Sequence, residues 1–506
     1  MSVNICIIGA GLASTAILVN LIKAVEQQKL GHVSIDVFEK SSRFGPGLAY
    51  RYESNMLLLN RTTRRMFVTE KGDFLAWINQ QQFVELDYPI DDTYLPRHYF
   101  GKFLSWLFQH SKVRAKQLNC DVNLLNSTVT DMRREGQKMC LLSCEGDYFE
   151  YDHIFSCVGN DTKADPYDLI GTSGYYSNPY PANQFNALKK GVKVALIGTR
   201  LTAVDLAIQI SEMQPDAEIT MLSRNSGLPS KAGLAFHIIE LTYFNEQNIA
   251  KLAQPGEPIS LKAVARLLNQ DLQAAGIKLG IFGLFNGARN QVFDGDEEQV
   301  RNMREVLLAA SESISFVWKR LSEADRNLFF KRYAEAWVLL RLTMPGSSDG
   351  RIRQLIQTGK LEVSSGLKDI NHDVEKGYRV GYQNGQESWF DVVINCTGIK
   401  RHCDKLSQSL IHSMVDQGLC TIHPFGGVRI DPKTNFSISA DSKINPNLSI
   451  IGQLSVGEYF MVNSVDVLLL QSHIVVNAFI AKTNSAKVYN QPSVFVQTFD
   501  EALLTG

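Results

Sequence analysis

The sequence of 506 residues has almost no net charge and no long apolar run, and both absences exclude classes of protein. Its 51 Lys and Arg residues nearly balance its 52 Asp and Glu residues, so no basic excess favours nucleic acid. No uninterrupted apolar run approaches the roughly 18 residues of a membrane span, and the N-terminus lacks a secretory pattern. We predict a cytoplasmic protein with a small-molecule substrate, binding neither nucleic acid nor a membrane; the composition is compatible with an oligomer.

Reactive cysteine pairs and metal-ligand spacings are also missing. Eight cysteines are present, but none forms a C-x-x-C pair and none stands at zinc spacing from a histidine. Cys6, Cys157 and Cys396 lie in apolar strands, where a buried thiol acts as a small apolar side chain. The pattern therefore argues against a redox-active disulfide and against a metal site. The G-x-S-x-G signature of a serine hydrolase is absent as well.

The N-terminal segment carries the strand–turn–helix pattern of a dinucleotide site. After an apolar strand ending at Ile8 come Gly9, Gly11 and Ser14, and then a helix with apolar residues at helical spacing. The first glycine permits the tight turn, the second lets a pyrophosphate approach the backbone, and the small third residue lets the helix pack closely. Glu39 ends the next strand, where an acid can bind the ribose. The alternative is an ordinary turn in another parallel sheet.

Residues 194–205, with the sequence VALIGTRLTAVD, repeat this pattern with one change. Gly198 keeps the tight turn and Ala203 keeps the close helix packing, but Arg200 stands where the second glycine belongs. This arginine either crowds out the pyrophosphate or turns outward and binds phosphate through its guanidinium group. Arg224 ends the next strand, where an NADP site places a cation for the 2′-phosphate. Two interpretations remain, an NADP(H) site of unusual geometry or a remnant that no longer binds nicotinamide.

Two strands of similar pattern indicate how the nucleotide domains are arranged. Residues 151–161 (YDHIFSCVGND) and 390–400 (FDVVINCTGIK) each place a glycine, Gly159 or Gly398, just after an apolar strand. A glycine there lets the backbone pass close to a cofactor. Because these strands bracket the second fingerprint, we predict an α/β fold in which a second Rossmann-like domain is inserted into the first. The predicted boundaries are 1–165 and 390–506 for the first domain, and 190–235 and 346–389 for the second.

Residues 236–345 carry a helical signal instead. Apolar residues recur at i, i+3, i+4 and i+7 in 260–276 and in 298–342, which predicts amphipathic helices. Four aromatic residues are predicted to lie in their core: Trp318, Phe329, Phe330 and Trp337. We predict a helical insertion that caps the cleft, either to exclude water from a reactive cofactor or to bind a partner. The following GSSDGR, Gly346 to Arg351, predicts a flexible loop.

Together these motifs resemble the flavoproteins with two nucleotide domains that bind FAD and NAD(P), and are similar to the flavin-dependent N-hydroxylating monooxygenases. The segments that carry the resemblance are FGPGLAYRYESNMLLLNRTTRRM (44–66), YLPRHYFGKFL (94–104), GTRLTAVD (198–205), RYAEAWVLLRLTMP (332–345), NCTG (395–398) and LSIIGQLSVGEYF (448–460). Two departures fall on the nicotinamide or substrate side. Arg200 replaces the family's glycine, and the family's Arg-His-Arg run reads Arg341-Leu342-Thr343.

The resemblance implies FAD bound in an extended form across the first domain, with NADPH at the second. The implied FAD contacts are Gly9, Gly11, Ser14, Glu39, Lys40, Gly47, Leu48, Tyr50, Asn60, Met66, Val129, Gly159, Gly452 and Ser464. The implied NADPH contacts are Gly198, Thr199, Arg200, Leu201, Thr202, Arg224 and Gly398. Arg97, His98 and Tyr99 are catalytic candidates because they lie in a family-like segment, although a surface loop is an equally good interpretation of them.

These patterns predict an FAD-dependent oxidoreductase, and in particular an NADPH-dependent monooxygenase that hydroxylates an amine or an amino-acid-like molecule. The flavin carries most of such chemistry and the protein supplies binding and electrostatics, so no acid–base pair has to appear. One alternative is an FAD-dependent oxidase or dehydrogenase that does not use nicotinamide, which Arg200 favours. The other is a non-catalytic flavin-binding partner protein that uses the helical insertion as an interface.

Overall fold

A computed structural model describes residues 3–86, 90–159, 165–225, 227–231, 239–289, 297–398 and 409–489. The strands are β1 (Val3–Ile8), β2 (Val33–Phe38), β3 (Asp121–Leu125), β4 (Val129–Glu135), β5 (Lys138–Ser143), β6 (Tyr148–Tyr151), β7 (His153–Ser156), β8 (Tyr175–Tyr176), β9 (Lys193–Ile197), β10 (Glu218–Leu222), β11 (Ser230–Lys231), β12 (Thr343–Met344), β13 (Leu361–Ser364), β14 (Leu367–Asp373), β15 (Gly377–Tyr382), β16 (Glu387–Phe390), β17 (Val392–Asn395), β18 (Phe436–Ile438) and β19 (Ile444–Ile450).

Helices cover the sheets and predominate in the described residues between 246 and 341, which are 246–289 and 297–341. They are α1 (Leu12–Glu26), α2 (Asp73–Gln81), α3 (His98–Gln117), α4 (Leu201–Met213), α5 (Glu246–Ala250), α6 (Leu261–Ala274), α7 (Ile281–Arg289), α8 (Glu297–Ala310), α9 (Ile314–Arg320), α10 (Glu323–Arg332), α11 (Ala334–Arg341), α12 (Gly346–Gln357), α13 (Ser409–Asp416), α14 (Val456–Tyr459) and α15 (Val465–Tyr489).

The first sheet has six strands in the order β18-β19-β7-β1-β2-β3, and all but β18 run parallel. Both faces of β1 are buried, as a covered parallel sheet requires. Ile5 and Ile7 pack in a core with residues of α1 and α15. Cys6 and Ile8 face the opposite core, which the antiparallel strands β4-β5-β6 complete.

The second sheet repeats this construction with five parallel strands in the order β13-β10-β9-β17-β8. One face packs against residues of α4 and α12. The other packs against the antiparallel strands β14-β15-β16. The predicted α/β class with two Rossmann-like domains is therefore confirmed.

The predicted boundary at residue 390 needs one correction. It assigns β17 to the first domain, but β17 pairs with β9 in register from Val392↔Val194 to Asn395↔Ile197 and so lies in the second sheet. The first sheet resumes later, at β18 and β19. β17, which ends in the same sequence pattern as β7, is therefore the counterpart of β7 in the second sheet.

The helices α6 to α11 form a core of their own. Trp318, Phe329 and Trp337 are buried in it and Phe330 is partly buried against it, as predicted. Phe425 and Phe460, which lie outside the insertion, belong to the same core. The insertion is therefore packed directly onto the C-terminal part of the chain.

Two other segments differ from simple expectations. The predicted loop at Gly346 to Arg351 is wrong, because these residues form the first turns of α12, where Asp349 is buried and pairs with Arg353 at 2.8 Å. In α15, Val465–Ser485 is long and apolar enough in composition to cross a membrane. One side of α15, with Val475 and Phe479, packs in the core of the first sheet.

Candidate cofactor sites and the cleft between them

The first dinucleotide turn has an open backbone at the N-terminus of a helix. Gly9 has a φ of +93°, and a Cβ there would lie 2.4 Å from the carbonyl oxygen of Cys157, just after β7. Gly11 is the N-cap of α1. A Cβ on Gly11 would lie 3.5 Å from the Cα of Gly47. The unobstructed N–H groups of such a helix end favour a bound anion.

Ser14 and Glu39 hold this turn from two sides. The Ser14 hydroxyl is buried and donates to the carbonyl oxygen of Gly9. One carboxylate oxygen of Glu39 accepts the N–H of Ala10 at 2.9 Å, and the other accepts the N–H and the hydroxyl of Ser41 at 2.9 Å each. Lys40 is exposed. The Glu39 carboxylate is thereby fixed at the strand end where ribose binding is predicted.

The residues predicted to line the flavin differ in exposure. Leu48 is 45% exposed and Asn60 is exposed, so both are open to a ligand. Tyr50 is half-buried, and its ring meets the ring of Phe100 edge-on at 4.9 Å. Met66 is buried in the core between α1, α3 and α15. Contact between these residues and a flavin stays a prediction.

Four further predicted contacts lie around the carboxyl edge of the first sheet, where α/β folds bind their ligands. Val129 begins β4, shortly after β3 ends. Gly159 follows β7 with a φ of +72°, and among the described residues no atom lies within 4 Å of the place of a Cβ there. Gly452 follows β19, and its N–H donates to Gln471 at 2.8 Å. Ser464 precedes α15, and its carbonyl accepts the N–H of Leu468 at 3.1 Å.

The second turn repeats the backbone of the first. Gly198 has a φ of +120°, and a Cβ there would lie 3.1 Å from the carbonyl oxygen of Cys396, just after β17. Arg200 is the N-cap of α4 with φ −90° and ψ −173°. Gly11 has nearly the same conformation at the N-cap of α1, φ −102° and ψ −160°. Any residue adopts this extended conformation, so Arg200 does not strain the turn.

The guanidinium group of Arg200 turns toward the helical insertion. Its Nη2 lies 3.6 Å from Oε1 of Glu335 on α11, and its side chain is 40% exposed. Of the two orientations considered from the sequence, the structure therefore has the outward one. The contact also places α11 beside the second nucleotide turn.

The other residues predicted for NADPH surround this turn. Thr199 is buried, and its hydroxyl donates to a backbone carbonyl after β10 at 3.0 Å. Leu201 and Thr202 are half-buried in the first turn of α4. Arg224 is exposed after β10 and forms no ion pair within the described ranges. Gly398 follows β17 with a φ of +99°, and no atom of a described residue lies within 4 Å of the place of a Cβ there.

The three catalytic candidates do not form a surface loop, so that interpretation is wrong. Arg97 is the N-cap of α3, and His98 and Tyr99 begin the helix with 4% and 2% exposure. Burial lowers the pKa of His98 to about 4, so its imidazole is neutral at pH 7. Its ring contacts the rings of Tyr52 and Tyr99 at 5.0 and 4.4 Å. A catalytic role for these residues stays a prediction.

Arg97 connects the two nucleotide domains. Its Nη2 lies 3.3 Å from Oε2 of Glu53, and its Nη1 lies 3.8 Å from Oδ2 of Asp205 on α4. Its guanidinium group also lies over the ring of Tyr180 at 4.7 Å. Glu53 is nearly inaccessible and pairs with Arg51 at 2.9 Å as well. We call Arg97, Glu53 and Asp205 the junction triad.

The junction triad was not identified from the sequence. Asp205 lies in the family-like GTRLTAVD segment and Glu53 in the glycine-rich segment, so both were inside recognised motifs. Their pairing depends on how the two domains meet, which no local pattern encodes.

Asp205 predicts a pH dependence of folding stability. Burial is the main reason that the pKa of Asp205 is raised to about 7. The positive charge of Arg97 opposes this rise, and the negative charge of Glu53 adds to it. An unfolded Asp has a pKa of about 3.9, so between these values the folded chain holds a proton that the unfolded chain has released. Binding of this proton therefore stabilises the folded state fully below about pH 4, and the stabilisation is lost as the pH rises to about 7.

We expect Asp205→Asn to flatten the decline in the free energy of unfolding across this window, by at most about 1.4 kcal/mol per pH unit. Urea unfolding at a series of pH values measures the slope. Asp216→Asn is the matched control, because Asp216 is an exposed residue of the same domain, paired with Lys190. An unchanged slope in Asp205→Asn would show that another group dominates the window.

A second group that was not identified from the sequence lies at the start of α15. Arg61 Nη1 lies 2.7 Å from Oδ2 of Asp466, and its Nη2 donates to the hydroxyl of Ser464 at 3.0 Å. A signal was available, because Arg61 directly follows the Leu-Leu-Asn element of the flavin-like segment.

The residues around the first turn fit FAD. A dinucleotide requires an open helix N-terminus, which Gly11 provides, and an acid at the end of the next strand, which Glu39 provides. In addition, Thr62 Oγ1, His98 Nδ1 and Ser156 Oγ are buried without a hydrogen-bond partner among the described residues. Such orphaned groups are costly, about 1–3 kcal/mol each. Ser156 ends β7 at the carboxyl edge of the first sheet, where a polar ligand would satisfy its hydroxyl.

Comparisons with known proteins agree with this geometry. A family model described as FAD-NAD(P)-binding matches residues 6–161. The chain is 23% identical over 457 residues to the uncharacterized protein YdhS of Escherichia coli strain K12, an alignment that covers 78% of this chain and 83% of YdhS.

Two solved structures show the same fold over nearly the whole chain. Ornithine hydroxylase PvdA from Pseudomonas aeruginosa has a TM-score of 0.60 at 11% identity, covering 96% of this chain and 100% of PvdA. DfoA bound to FAD, the cadaverine monooxygenase of desferrioxamine biosynthesis in Erwinia amylovora, has a TM-score of 0.58 at 10% identity, covering 95% of this chain and 94% of DfoA.

Proposed function

We propose that this chain, which has the fold of the flavoproteins with two nucleotide domains, is an FAD-dependent oxidoreductase. More specifically, we propose an NADPH-dependent monooxygenase that hydroxylates the nitrogen of an amine or amino-acid-like small molecule. The likeness to an ornithine hydroxylase and a cadaverine monooxygenase supports this reaction class. A cytoplasmic location stays a prediction.

The observation that carries the proposal is the equivalence of the two nucleotide turns. Gly9 and Gly198 each lie against a backbone carbonyl just after a neighbouring parallel strand, at Cys157 after β7 and at Cys396 after β17. The second turn has thus kept its form although Arg200 has replaced a glycine. We infer that it still binds NADPH, with Arg200 and Arg224 as phosphate contacts.

FAD, when bound, supplies the redox and oxygen chemistry, and the chain supplies position and shielding. Hydrogen bonds that a mobile lid would lack hold the helical insertion against the first domain. Trp318 Nε1 donates to the carbonyl oxygen of Gly457 at 2.8 Å, and the hydroxyl of Ser315 donates to the carbonyl of Tyr459 at 3.2 Å. We propose that the insertion, held in this way, caps the cleft and excludes water from the reaction.

Anaerobic titration of the purified, FAD-loaded protein with NADPH tests the proposal. We expect the visible flavin band to bleach, and NADPH-dependent oxygen uptake to follow when air is admitted. If dithionite reduces the flavin but NADPH does not, the proposal that the protein uses nicotinamide is refuted. Bleaching of the flavin by a substrate in the absence of NADPH would then identify an FAD-dependent oxidase or dehydrogenase, the alternative that Arg200 favours. A protein that cannot be reconstituted with FAD would refute the whole assignment.

Arg224→Gln is expected to raise the NADPH concentration for half-maximal flavin reduction about tenfold, because a charged contact to the 2′-phosphate is lost. Titration with NADH, which lacks this phosphate, should be unaffected. Arg133→Gln is the control, since Arg133 is an exposed arginine on the hairpin of the first domain. Equal effects on NADPH and NADH would place Arg224 outside the 2′-phosphate site.

A further inference from the structure

Arg200 stands at the second nucleotide turn, where the proposed coenzyme would place its pyrophosphate. It is the N-cap of α4, and a dinucleotide on this fold lays its pyrophosphate on that helix end. Burial lowers the pKa of Arg200, and the negative charge of Glu335 opposes this effect. An arginine nevertheless stays charged at pH 7, so this partly buried cation is stabilised by a counter-charge.

Glu335 on α11 supplies that counter-charge. Its Oε1 lies 3.6 Å from Nη2 of Arg200, and neither residue forms another ion pair within the described part of the chain. The separation exceeds the roughly 2.7–2.9 Å of a charge-assisted hydrogen bond. Both side chains are also open to solvent, with Arg200 40% and Glu335 60% exposed. The pair is therefore a contact that a better anion can break at little cost.

The packing of two cores places Glu335 beside the turn. The two residues that follow it, Ala336 and Trp337, are buried in the core of the helical insertion. The chain then returns to the second domain as β12, which pairs in parallel with β11 and places Met344 in the core of that domain. The position of Glu335 near Arg200 thus follows from the fold on both sides of α11.

A pyrophosphate and Glu335 cannot both be well paired with Arg200. The planar guanidinium group can donate two parallel hydrogen bonds to a phosphate, whereas Glu335 approaches it no closer than 3.6 Å. Once a phosphate has taken the guanidinium group, the carboxylate is left without its cation and close to a second negative group. Like charges at short range repel each other. The carboxylate and the phosphate therefore compete for one cation.

We infer that Glu335 is an internal competitor of the coenzyme: it holds Arg200 in the coenzyme-free protein, and the pyrophosphate of NADP(H) displaces it. This inference rests on the proposed function and deepens it, because it gives the nicotinamide site a regulatory contact with the helical insertion. Binding of the coenzyme releases the start of α11 from the second turn, while the hydrogen bonds of Trp318 and Ser315 keep the insertion against the first domain.

Binding of NADP+ to the oxidised, FAD-loaded protein tests the inference without turnover. Isothermal titration should show that Glu335→Gln binds NADP+ about two- to fivefold more tightly than the wild type, the range expected for an exposed ion pair. Glu323→Gln is the matched control, because Glu323 lies in the first turn of α10, is exposed and forms no ion pair with a described residue. This variant should bind NADP+ as the wild type does.

Two smaller probes show which part of the coenzyme competes. Inorganic pyrophosphate should gain affinity for Glu335→Gln by the same factor as NADP+. Adenosine 2′-monophosphate has no pyrophosphate, so it should bind the wild type and Glu335→Gln equally. Arg200→Gln should weaken the binding of NADP+, and in that background Glu335→Gln should have little further effect, because the two residues act as a pair.

Three results would overturn the inference. Weaker binding of NADP+ by Glu335→Gln would mean that Glu335 aligns Arg200 for the phosphate instead of competing with it. Unchanged binding would mean that the contact plays no part in the site. An equal gain in affinity with and without Arg200 would mean that Glu335 acts through general charge repulsion.

Failure of the inference and failure of the proposed function give different results. If NADPH bleaches the flavin but Glu335→Gln binds NADP+ as the wild type does, the inference alone fails. If NADP+ binds but NADPH does not bleach the flavin, the proposed use of nicotinamide fails, and the affinity ratios still decide the role of Glu335. If neither NADP+ nor pyrophosphate binds to the wild type or to Glu335→Gln, both are refuted. The FAD content and thermal midpoint of Glu335→Gln should match the wild type, because an exposed pair contributes little to stability.

Discussion

Gly9→Ala is expected to abolish retention of FAD and to lower the free energy of unfolding by about 3 kcal/mol or more. The added Cβ would lie 2.4 Å from the carbonyl oxygen of Cys157 and 3.1 Å from its carbonyl carbon. Both atoms are backbone just after the central strand β7, so neither can move without breaking the sheet. The φ of +93° at Gly9 adds strain that an L-residue tolerates poorly.

Two glycine variants calibrate this result. In Gly198→Ala the nearest atom would be the Cys396 carbonyl oxygen at 3.1 Å, so we expect a smaller loss of stability and normal FAD content. Gly136 lies at a hairpin turn with φ +59° and has no atom within 4 Å of an added Cβ. Gly136→Ala should therefore cost only the strain of the left-handed backbone conformation, about 1 kcal/mol. FAD absorbance per protein and chemical unfolding give both quantities. Gly9→Ala with full FAD content would contradict the close approach.

At pH 8 and above, where Asp205 is ionised, Arg97→Met is expected to destabilise the protein by about 3–5 kcal/mol, the range for breaking a buried ion pair. It leaves Glu53 and Asp205 without their shared cation, and Glu53 is 1% exposed. Arg51 remains beside Glu53 at 2.9 Å, so Asp205 loses the larger part of its counter-charge. Because the junction triad joins both domains, we also expect a higher NADPH requirement for flavin reduction.

A double-variant cycle tests whether the junction triad acts as a unit. Arg97→Met combined with Asp205→Asn should be less destabilised than the sum of the single changes, because the neutral amide no longer needs the cation. Coupling of about 0.5–3 kcal/mol is typical of residues in contact. Strict additivity, or a loss below about 1 kcal/mol in Arg97→Met, would mean that Arg97 contributes through its contact with Tyr180 instead.

The nucleotide turns could be predicted from the sequence because their determinants are contiguous. A strand, a glycine at a fixed offset and an apolar helix follow one another within about 20 residues, and each has a local physical reason. The same holds for the insertion, whose helical periodicity and buried Trp318 were both evident. Gly346 to Arg351 shows where composition misleads, since a Gly/Ser-rich run begins α12 once packing and the Asp349–Arg353 pair favour a helix.

Contiguous sequence motifs were enough to predict two nucleotide folds, with an open glycine turn in the first and an arginine in the second. The direction of the Arg200 side chain could be seen only in the folded chain, because its partner Glu335 is 135 residues away. The same holds for the junction triad, whose members come from different domains. Local propensity fixes elements, whereas charges pair by proximity in space, and that proximity exists only after the domains have packed.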